Sequence, residues 1–495
     1  MRGIKHMKKT VIVIIILLTA VLVHQKAYAG EMTGLPDGQV YDLIIETVTF
    51  DLDNPGAEAV EAAVNEITVP LIGVRVHLLN IPIQQHAQRI GQMIANGEQL
   101  DLVTAGLTYP ISSMAADGLI ISIEELLDEY GSELKNLFGD EIKAGYIGNT
   151  LYGIPGRVNT AVAGGLMYNK AMAEKAGIIM PDPCSIDDLD DIFAAVQEKL
   201  PGVYGMAFIK RDVSLMNFIY EMESYGSGIY EFGVTFDPWN NMNIQNLYES
   251  DQYRKFCHKI RQWQVKGYIP PNIMTSTILP TDRLEAGQIF CMYTGYSPMQ
   301  NAAQLANPDF DMVMTTEALT STGFVQERMW SIPVTSKKPD KTMEFLNLLY
   351  TDTDLSNILM NGIEGVHYTR VSDHVIAHTD NMDYHRIFTF FGNEQHCDQW
   401  LPATEETVSA QIEFENSAMK TLTMGYTFDS SSVEKELEAV DEVIADYAPA
   451  LECGMLEDVD GGLELFNQEL RKAGIDRIIE ENSRQLSLWI SEQGH

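Results

Sequence analysis

The sequence has few basic residues for its length and few cysteines. Lys and Arg number 33 against 70 Asp and Glu, which gives a formal net charge of −37 at pH 7. Such an excess of negative charge disfavours nucleic acids and anionic lipid surfaces as partners. The five cysteines, Cys184, Cys257, Cys291, Cys397 and Cys453, are scattered and include no CxxC pair. This pattern excludes a zinc framework and a dense disulfide scaffold, and it leaves one or two disulfides open.

Beyond its first thirty residues the chain lacks any apolar run that approaches the roughly 20 residues needed to cross a bilayer. Its beginning is typical of a secretory signal peptide, because a basic leader precedes an apolar run, Val11 to Val23, and the small residues of Ala27-Tyr28-Ala29. We predict that residues 1–29 are cleaved and that the mature protein is exported and soluble. An uncleaved anchor is the alternative.

No motif of a known catalytic class is complete. HExxH and the P-loop are absent, and GYSPM at Gly295–Met299 fails the GxSxG pattern because methionine replaces its second glycine. HVIAH at His374–His378 has the spacing of a zinc-binding helix, but its alternation predicts a strand, in which the imidazoles lie about 13 Å apart. The sequence therefore predicts no metal, no cofactor and no catalytic residue. A glycosidase whose two carboxylates are distant in sequence stays open.

Two acidic stretches have structural explanations. DLDNPG at Asp51–Gly56 resembles the start of a calcium loop, but Pro55 occupies position five and Ala62 stands where the loop needs glutamate. A turn that caps the next helix is the better interpretation. SIDDLDDIF, which begins at Ser185, places acids in the first turn of a predicted helix, where the helix dipole favours them.

A chain of 495 residues suggests two or more domains. Its first part alternates between strands and helices, which predicts an α/β fold with a mostly parallel, doubly wound sheet. Such sheets bind ligands at the carboxyl ends of their strands. The predicted elements are a strand at Tyr41–Phe50, a helix at Ala57–Val69, a strand at Val74–Pro82, a helix around Gln85–Ala95 and a strand at Leu100–Gly106.

A second α/β unit follows. Its predicted elements are helices at Lys170–Ala176 and Asp251–Lys266 and strands at Val203–Phe208 and Gly287–Gly295. The stretch Arg328–Ser336 is predicted to return to the first unit. The last 60 or so residues are helical and acidic in pattern.

Several segments together resemble the extracellular solute-binding proteins that serve ABC importers. NGEQLDLVTAG, ADGLIISIEELLDEYG and LYGIPGR are similar to the N-terminal half of that family. The segments Glu344–Tyr368, Met424–Asp429 and Asn467–Trp489 resemble a lipoprotein-like subgroup whose C-terminal domain has no known function. The lipobox cysteine that Gram-positive members generally carry is replaced by Ala27-Tyr28-Ala29-Gly30.

The resemblance implies a two-lobed periplasmic-binding-protein-like fold of type II, with mixed sheets flanked by helices and a ligand cleft between hinged lobes. We predict that residues 38–154 and 298–355 form the first lobe and that residues 155–297 begin the second. Residues 356–495 are predicted to be a C-terminal helical region that packs mainly on the second lobe.

The same resemblance implies a monomeric receptor that is not an enzyme. It binds a carbohydrate or oligosaccharide and delivers this solute to ABC permease subunits in the membrane. Two alternatives stay open, an exported glycan-acting hydrolase and a solute sensor that docks on a membrane receptor.

Sugar rings stack on aromatic side chains, while their hydroxyls bind polar ones. Tyr109, Trp239, Tyr293 and Trp330 lie near predicted strand ends or turns and are candidate ligand contacts, although a core position is the alternative for each. Trp263 and Trp489 lie in predicted amphipathic helices and are expected in the core.

The stretch Leu151–Lys170, LYGIPGRVNTAVAGGLMYNK, resembles the family's first crossing between lobes and is predicted to carry the chain from one lobe to the other. An ordinary loop with a buried Tyr168 is the alternative. Pro155 and Gly156 are the predicted hinge, since a hinge consists of a few residues that absorb a backbone change. The predicted ligand contacts of this stretch are Arg157, Asn159 and Tyr168. The resemblance adds Asp51 and Asp53, which follow the first predicted strand.

Overall fold

The structure is a computed structural model that describes residues 40–49, 54–209, 215–225, 233–304, 307–384 and 392–492. The predicted signal peptide at residues 1–29 lies outside the described residues, and so do Asp51 and Asp53. Within the described ranges, no helix combines the length and the apolar character needed to cross a membrane.

Strands and helices alternate over most of the described chain. The strands are β1 (Tyr41–Thr49), β2 (Val74–Pro82), β3 (Val103–Gly106), β4 (Tyr146–Ile147), β5 (Thr150–Leu151), β6 (Ile154–Pro155), β7 (Ala163–Asn169), β8 (Tyr204–Met206), β9 (Met222–Ser224), β10 (Val234–Phe236), β11 (Ile289–Tyr296), β12 (Phe310–Met314), β13 (Leu319–Thr320), β14 (Arg328–Ser331), β15 (Tyr368–Arg370), β16 (Val375–His378), β17 (Gln399–Trp400) and β18 (Met419–Lys420).

The helices differ widely in length. They are α1 (Ala57–Ile72), α2 (His86–Ala95), α3 (Ile111–Ala116), α4 (Glu124–Tyr130), α5 (Ser132–Phe138), α6 (Lys170–Ala176), α7 (Leu189–Lys199), α8 (Asp251–Lys266), α9 (Pro280–Glu285), α10 (Pro298–Gln304), α11 (Thr322–Gln326), α12 (Pro339–Thr351), α13 (Thr353–Asn361), α14 (Glu405–Ser417), α15 (Glu434–Glu452), α16 (Val459–Ala473) and α17 (Ile475–Glu492).

The first lobe is built around the sheet β3-β14-β6. β14 lies between β3 and β6 and runs antiparallel to both, while Ile45 of β1 forms a parallel bridge with Leu102. The sheet is therefore mixed, because β14 is the reversed strand, while β1, β3 and β6 share one direction as predicted for the first strands. β14 arrives from the other lobe, so it is not bound by the right-handed crossover that keeps successive βαβ strands parallel. The predicted return of Arg328–Ser336 to this lobe is confirmed.

The second lobe is built around the sheet β12-β7-β11-β8. β7 runs antiparallel to β12 and β11, and β11 runs parallel to β8. Because β12 still pairs here, the chain leaves this lobe after Met314. The return that was expected at residue 298 thus falls inside the second lobe.

Helices α15, α16 and α17 pack on the core of the second lobe. Their apolar residues, for example Val440 and Phe466, belong to the same buried cluster as Phe256 and Trp263 of α8. Trp263 is fully buried, and its indole N–H donates to Asp190 at 2.6 Å, so its predicted core position is confirmed. Helix α13 instead packs against α1 and α12 of the first lobe, so the C-terminal region is shared between the lobes.

The five cysteines are all buried, and none of them forms a disulfide. Burial raises the pKa of the Cys184 thiol to about 12 and also raises that of Cys291. A thiol is reactive as its thiolate, so these two cysteines are chemically inert in the folded protein.

Three segments run side by side where the chain passes between the lobes. We call residues 156–162 the crossing segment. Val162 and Leu319 exchange backbone hydrogen bonds of 3.0 and 2.9 Å, and Leu319 pairs in parallel with Met419. Farther along the chain, Met424 packs in the core of the first lobe and Val433 in the core of the second lobe. The predicted passage between lobes in Leu151–Lys170 agrees with this path.

Gly164 lies in β7, where the main chain of another segment approaches closely. A Cβ at this position would lie 2.5 Å from the Phe218 carbonyl oxygen and 2.6 Å from Thr315 Oγ1. We expect Gly164→Ala to lower the free energy of unfolding by about 1–3 kcal/mol, because backbone cannot give way as a flexible side chain can. Urea unfolding monitored by circular dichroism measures this change.

Gly91 offers a matched control within α2, because a Cβ there meets nothing within 4 Å. Gly91→Ala is expected to raise the free energy of unfolding by about 0.5–1 kcal/mol through the lost chain entropy of glycine. Equal midpoints for the two variants would contradict the close approach at Gly164.

Candidate functional site

A cavity of about 440 Å³ lies beside the crossing segment. Its walls come from the crossing segment, the start of α10, α11 with the start of β14, α14, and the segment between Glu394 and Gln399. Residues of the passage between lobes therefore form one wall, and residues distant in sequence form the others.

The lining of this cavity is mainly polar. Among the described lining residues Phe324 is the only aromatic, and the apolar remainder includes Met299 and Met360. The neutral polar lining residues are Asn159, Thr160, Ser297, Gln300, Gln399 and Gln411. Amides and hydroxyls both donate and accept hydrogen bonds, which suits a ligand that is rich in hydroxyl groups.

Arg157 and Glu394 form an ion pair in the cavity. Arg157 Nε donates to both carboxylate oxygens of Glu394, at 3.0 and 3.2 Å. The Glu394 side chain is only 12% exposed and that of Arg157 is 32% exposed. Gln399 Nε2 donates to the main-chain oxygen of Glu394 at 3.1 Å, which helps to hold this segment. The pair orients the guanidinium so that its remaining donors are available to a ligand.

Glu415 of α14 holds the main chain of the crossing segment. Its Oε2 accepts from the backbone N–H groups of Thr160 at 3.0 Å and Ala161 at 2.9 Å. Burial raises the pKa of the Glu415 carboxyl to about 7, and the charge of Glu394 raises it further, although the N–H donors act in the opposite direction. This carboxyl therefore titrates near neutral pH.

Gln411 links Glu415 to another wall of the cavity. Its Nε2 donates to Glu415 Oε1 at 2.7 Å, and its Oε1 accepts from the backbone N–H of Met299 at 3.0 Å. Gln411 and Glu415 are four residues apart on α14, so they lie on the same face of the helix. Through this pair, α14 is bonded to both the crossing segment and the start of α10.

Arg328 of β14 lines the cavity opposite this link. Its main-chain oxygen accepts from the Gly156 N–H at 2.8 Å, so the crossing segment starts at the edge of the first-lobe sheet. Burial lowers the pKa of the Arg328 guanidinium, and the nearby charge of Arg157 lowers it further. A ligand that accepts hydrogen bonds from this guanidinium would favour its charged form and so offset both effects.

Asn159 carries a buried polar atom without a hydrogen-bond partner. Its side-chain Oδ1 is buried and accepts no hydrogen bond from any described residue. Leaving a buried acceptor unsatisfied costs about 1–3 kcal/mol. Because Asn159 lines the cavity, a ligand hydroxyl is a suitable donor for this atom.

Of the residues predicted as ligand contacts, the structure brings Arg157 and Asn159 to the cavity. Tyr109, Tyr168 and Trp239 are half-buried elsewhere. The Tyr109 hydroxyl donates to Asp117 at 2.7 Å, and the Tyr168 hydroxyl lies 3.4 Å from Asp311 Oδ2.

Tyr293 and Trp330 lie in the interior. Trp330 is fully buried at the centre of the first-lobe sheet, and Tyr293 is 7% exposed in the second-lobe core. These positions correspond to the core alternative, because large aromatic side chains bury the most apolar area where sheets pack.

Pro155 and Gly156 are anchored in the first lobe. Pro155 pairs with Met329 in β14, its oxygen accepts from the Tyr350 hydroxyl at 2.9 Å, and Gly156 bonds to Arg328. The predicted hinge residues therefore lie at the N-terminal end of the crossing segment, where it joins the first-lobe sheet.

Sequence reasoning missed Glu394, Gln411 and Glu415. The bonds from Arg157 to Glu394 and from Thr160 to Glu415 join residues separated by 237 and 255 positions. Nothing local marks Glu394. The spacing of Gln411 and Glu415 on one helix face is the single local signal for that pair, and it is common on solvated helices.

Comparison with known proteins gives two family matches. Residues 62–362 match the family described as bacterial extracellular solute-binding protein, and residues 422–491 match a domain of unknown function, DUF3502. A carbohydrate ABC transporter substrate-binding protein of Streptococcus pneumoniae serotype 4 is 22% identical over 441 residues, which cover 87% of this chain and 88% of the relative.

Solved structures share the fold. The N-glycan transport solute binding protein of Streptococcus pneumoniae superposes with a TM-score of 0.79 at 19% identity, covering 92% of this chain and all of that one. An ABC-transporter associated solute binding protein of Bifidobacterium longum infantis, described as HMO binding, has a TM-score of 0.62 at 14% identity, covering 92% of this chain and 99% of that one. These likenesses show a two-lobed α/β fold of type II, which confirms the predicted fold class.

Replacing Glu415 with glutamine tests the electrostatics of the cavity. The pKa of this carboxyl is about 7 in the folded protein against an ordinary 4.5, so the folded state binds the proton more tightly than the unfolded chain. Its stabilising contribution is complete below about pH 4.5 and is lost as the pH rises through about 7. Relative to the wild type, Glu415→Gln should therefore gain about 1–2 kcal/mol of unfolding free energy between pH 5 and pH 8, less than the full shift because the carboxyl borders an open cavity.

Chemical denaturation at a series of pH values measures this difference. A difference between variant and wild type that stays constant from pH 5 to pH 8 would show that Glu415 does not titrate in this range.

Proposed function

The chain belongs to the bacterial extracellular solute-binding proteins, and from this premise we propose that it is the receptor of an ABC import system that binds a carbohydrate or oligosaccharide. The solute enters between two hinged lobes and occupies the cavity beside the crossing segment. Closure then delivers it to permease subunits in the membrane. The protein is exported by its predicted signal peptide and acts as a monomer.

The chemistry of the cavity carries this proposal. Its lining supplies guanidinium and amide donors together with carboxylate and amide acceptors, and a buried acceptor on Asn159 has no partner among the described residues. Sugar hydroxyls donate and accept at once, so they can match such a lining. The volume of about 440 Å³ lies within the range of about 300–1,000 Å³ that small-molecule sites occupy.

The charges of the cavity favour a neutral solute. Arg157 and Arg328 face Glu327, Glu394 and Glu415, and Glu415 is half-protonated near pH 7. The net charge of the lining is therefore close to zero. A polyanion or polycation would find no excess of opposite charge here.

The descriptions of similar proteins support a carbohydrate as the solute. One relative is a carbohydrate transporter component, and two solved structures of the N-glycan transport protein are complexes with Man1GlcNAc and Man5GlcNAc. Both glycans are suitable first probes for this chain.

The carboxylates of the cavity argue for binding rather than catalysis. Glu394 is paired with Arg157, and Glu415 accepts three N–H donors, so both are engaged in bonds that hold the cavity walls. Glu327 is the third carboxylate of the lining and is a single group. A glycosidase needs one carboxyl free to donate a proton and one free to act as nucleophile or base. The receptor is thus the better supported of the two functions.

We also propose where the lobes bend. Pro155 and Gly156 are fixed to β14 and Tyr350, so they anchor the first lobe, while Val162 is paired with Leu319 at the other end of the crossing segment. Rotation is then absorbed between these anchors, next to Arg157 and Asn159. Solute contacts on this stretch would couple binding to closure.

A thermal-shift screen tests the function. The mature protein is heated with mono- and oligosaccharides, including Man1GlcNAc and Man5GlcNAc, and with peptides and polyamines as unrelated solutes. We expect a rise in melting temperature with at least one neutral oligosaccharide, followed by recovery of the unchanged sugar. Stabilisation by peptides or polyamines alone would overturn the carbohydrate assignment, and release of sugar fragments would favour a hydrolase.

Asn159→Ala tests the contribution of the buried acceptor. Removing this amide should weaken binding of the stabilising oligosaccharide about 10-fold, which corresponds to about 1.4 kcal/mol and to one lost hydrogen bond. Isothermal titration calorimetry measures the change.

Asn240→Ala is the matched control, because Asn240 is exposed and its side chain bonds to Asp237 in a surface turn. Its affinity should equal that of the wild type. If both variants bind as the wild type does, Asn159 does not contact the solute.

A further inference from the structure

Gln411 and Glu415 do more than line the cavity, because they tie together two of its walls. We propose that this pair is a proton-sensitive clasp that, when Glu415 is ionised, holds the crossing segment and the start of α10 in their solute-binding positions. The clasp itself follows from the contacts, and its effect on affinity rests on the proposed function. Gln411 and Glu415 are accordingly positioning residues.

The clasp consists of four hydrogen bonds in a chain. Glu415 Oε2 accepts from the N–H groups of Thr160 and Ala161, and Glu415 Oε1 accepts from Gln411 Nε2. Gln411 Oε1 in turn accepts from the N–H of Met299, the second residue of α10. Every bond to Glu415 uses it as an acceptor, so the arrangement suits the carboxylate better than the protonated acid.

Protonation weakens this chain, because a carboxylic acid accepts hydrogen bonds less strongly than a carboxylate. A proton on Oε1 that points towards Gln411 Nε2 would place two donors against each other. If the Gln411 amide turns so that its oxygen accepts the new proton, its NH₂ group faces the Met299 N–H, and that bond is lost. A proton on Oε2 would instead oppose the two backbone donors of the crossing segment.

The neighbouring charges leave the proton equilibrium of Glu415 close to neutral pH. Burial raises the pKa of the Glu415 carboxyl, and the charge of Glu394 raises it further. The three N–H donors lower it. Helix α10 contributes no titratable residue to this region. The other charged groups around the cavity and the crossing segment are Arg157, Arg328, Glu327, and the pair Glu141 and Lys420, of which Glu141 accepts from Thr160 Oγ1.

The clasp controls residues that face the solute. Arg157 and Asn159 precede Thr160 on the crossing segment, and Gln300 follows Met299 on α10. With a pKa of about 7, roughly one tenth of Glu415 is ionised at pH 6 and nine tenths at pH 8. Loosening of both walls on acidification should therefore weaken solute binding.

Hydrogen exchange in the solute-free mature protein tests the clasp directly. We compare the protection of the Thr160, Ala161 and Met299 amides at pH 6 and pH 8, corrected for intrinsic exchange, in the wild type, in Glu415→Gln and in Glu413→Gln. Glu413 is an exposed residue of the same helix and serves as the matched control.

At least one of the two walls should lose protection about threefold or more between pH 8 and pH 6 in the wild type and in Glu413→Gln. Glu415→Gln places an amide NH₂ against the Gln411 donor, as protonation does, so its protection should be the same at both pH values and match the wild type at pH 6. Equal protection at both pH values in the wild type, or an unchanged pH response in Glu415→Gln, would overturn the clasp.

Titration with the oligosaccharide Man5GlcNAc separates this inference from the proposed function. We expect the wild-type Kd to rise about threefold or more from pH 8 to pH 6, and the Kd of Glu415→Gln to be independent of pH. A sugar that binds with the same pH profile in both proteins overturns the clasp and leaves the receptor function standing. If amide protection depends on pH but this glycan does not bind, the clasp is supported and the glycan is not the solute.

Discussion

A chain that leaves one sheet for another carries backbone N–H groups that have lost their strand partners, and these groups must be satisfied elsewhere. In this protein Thr160 and Ala161 meet that constraint through the carboxylate of Glu415, which is 255 residues from Thr160 in the sequence. The position of α14 follows from this requirement. With α14 come Gln411, the bond to Met299 and one complete wall of the cavity. The hydrogen bonds of these two main-chain groups thus hold α14 and its cavity-lining side chains beside the crossing segment.

The sequence predicted most elements of the fold because their signals are local. The strand Val74–Pro82 and the helices Lys170–Ala176 and Asp251–Lys266 have the expected bounds, since apolar periodicity and a following glycine or proline set them. The reversed direction of β14 in its sheet was not predicted. β14 and β12 reach their sheets through long connections, and no local pattern records how a strand enters a sheet.

The residues of the candidate site also differ in whether a local sequence signal reveals them. Arg157 and Asn159 could be found because they lie on the passage between lobes, which the sequence marks with Pro155 and Gly156. Glu394 and Glu415 could not, because their partners are hundreds of positions away and the chain holds 70 acidic residues. Two of the aromatic candidates, Trp330 and Tyr293, fill the cores of the two sheets, where large aromatic side chains bury much apolar area.

The five cysteines give the protein a property that its family assignment makes useful. An extracellular protein meets oxidants, yet here every thiol is buried and no disulfide ties the chain. The fold therefore holds together without a cysteine bridge. Exposure of a thiol to a labelling reagent then reports opening of a core. Four of the cysteines, Cys184, Cys257, Cys291 and Cys453, lie in the core of the second lobe, so their labelling gauges the unfolding of that lobe.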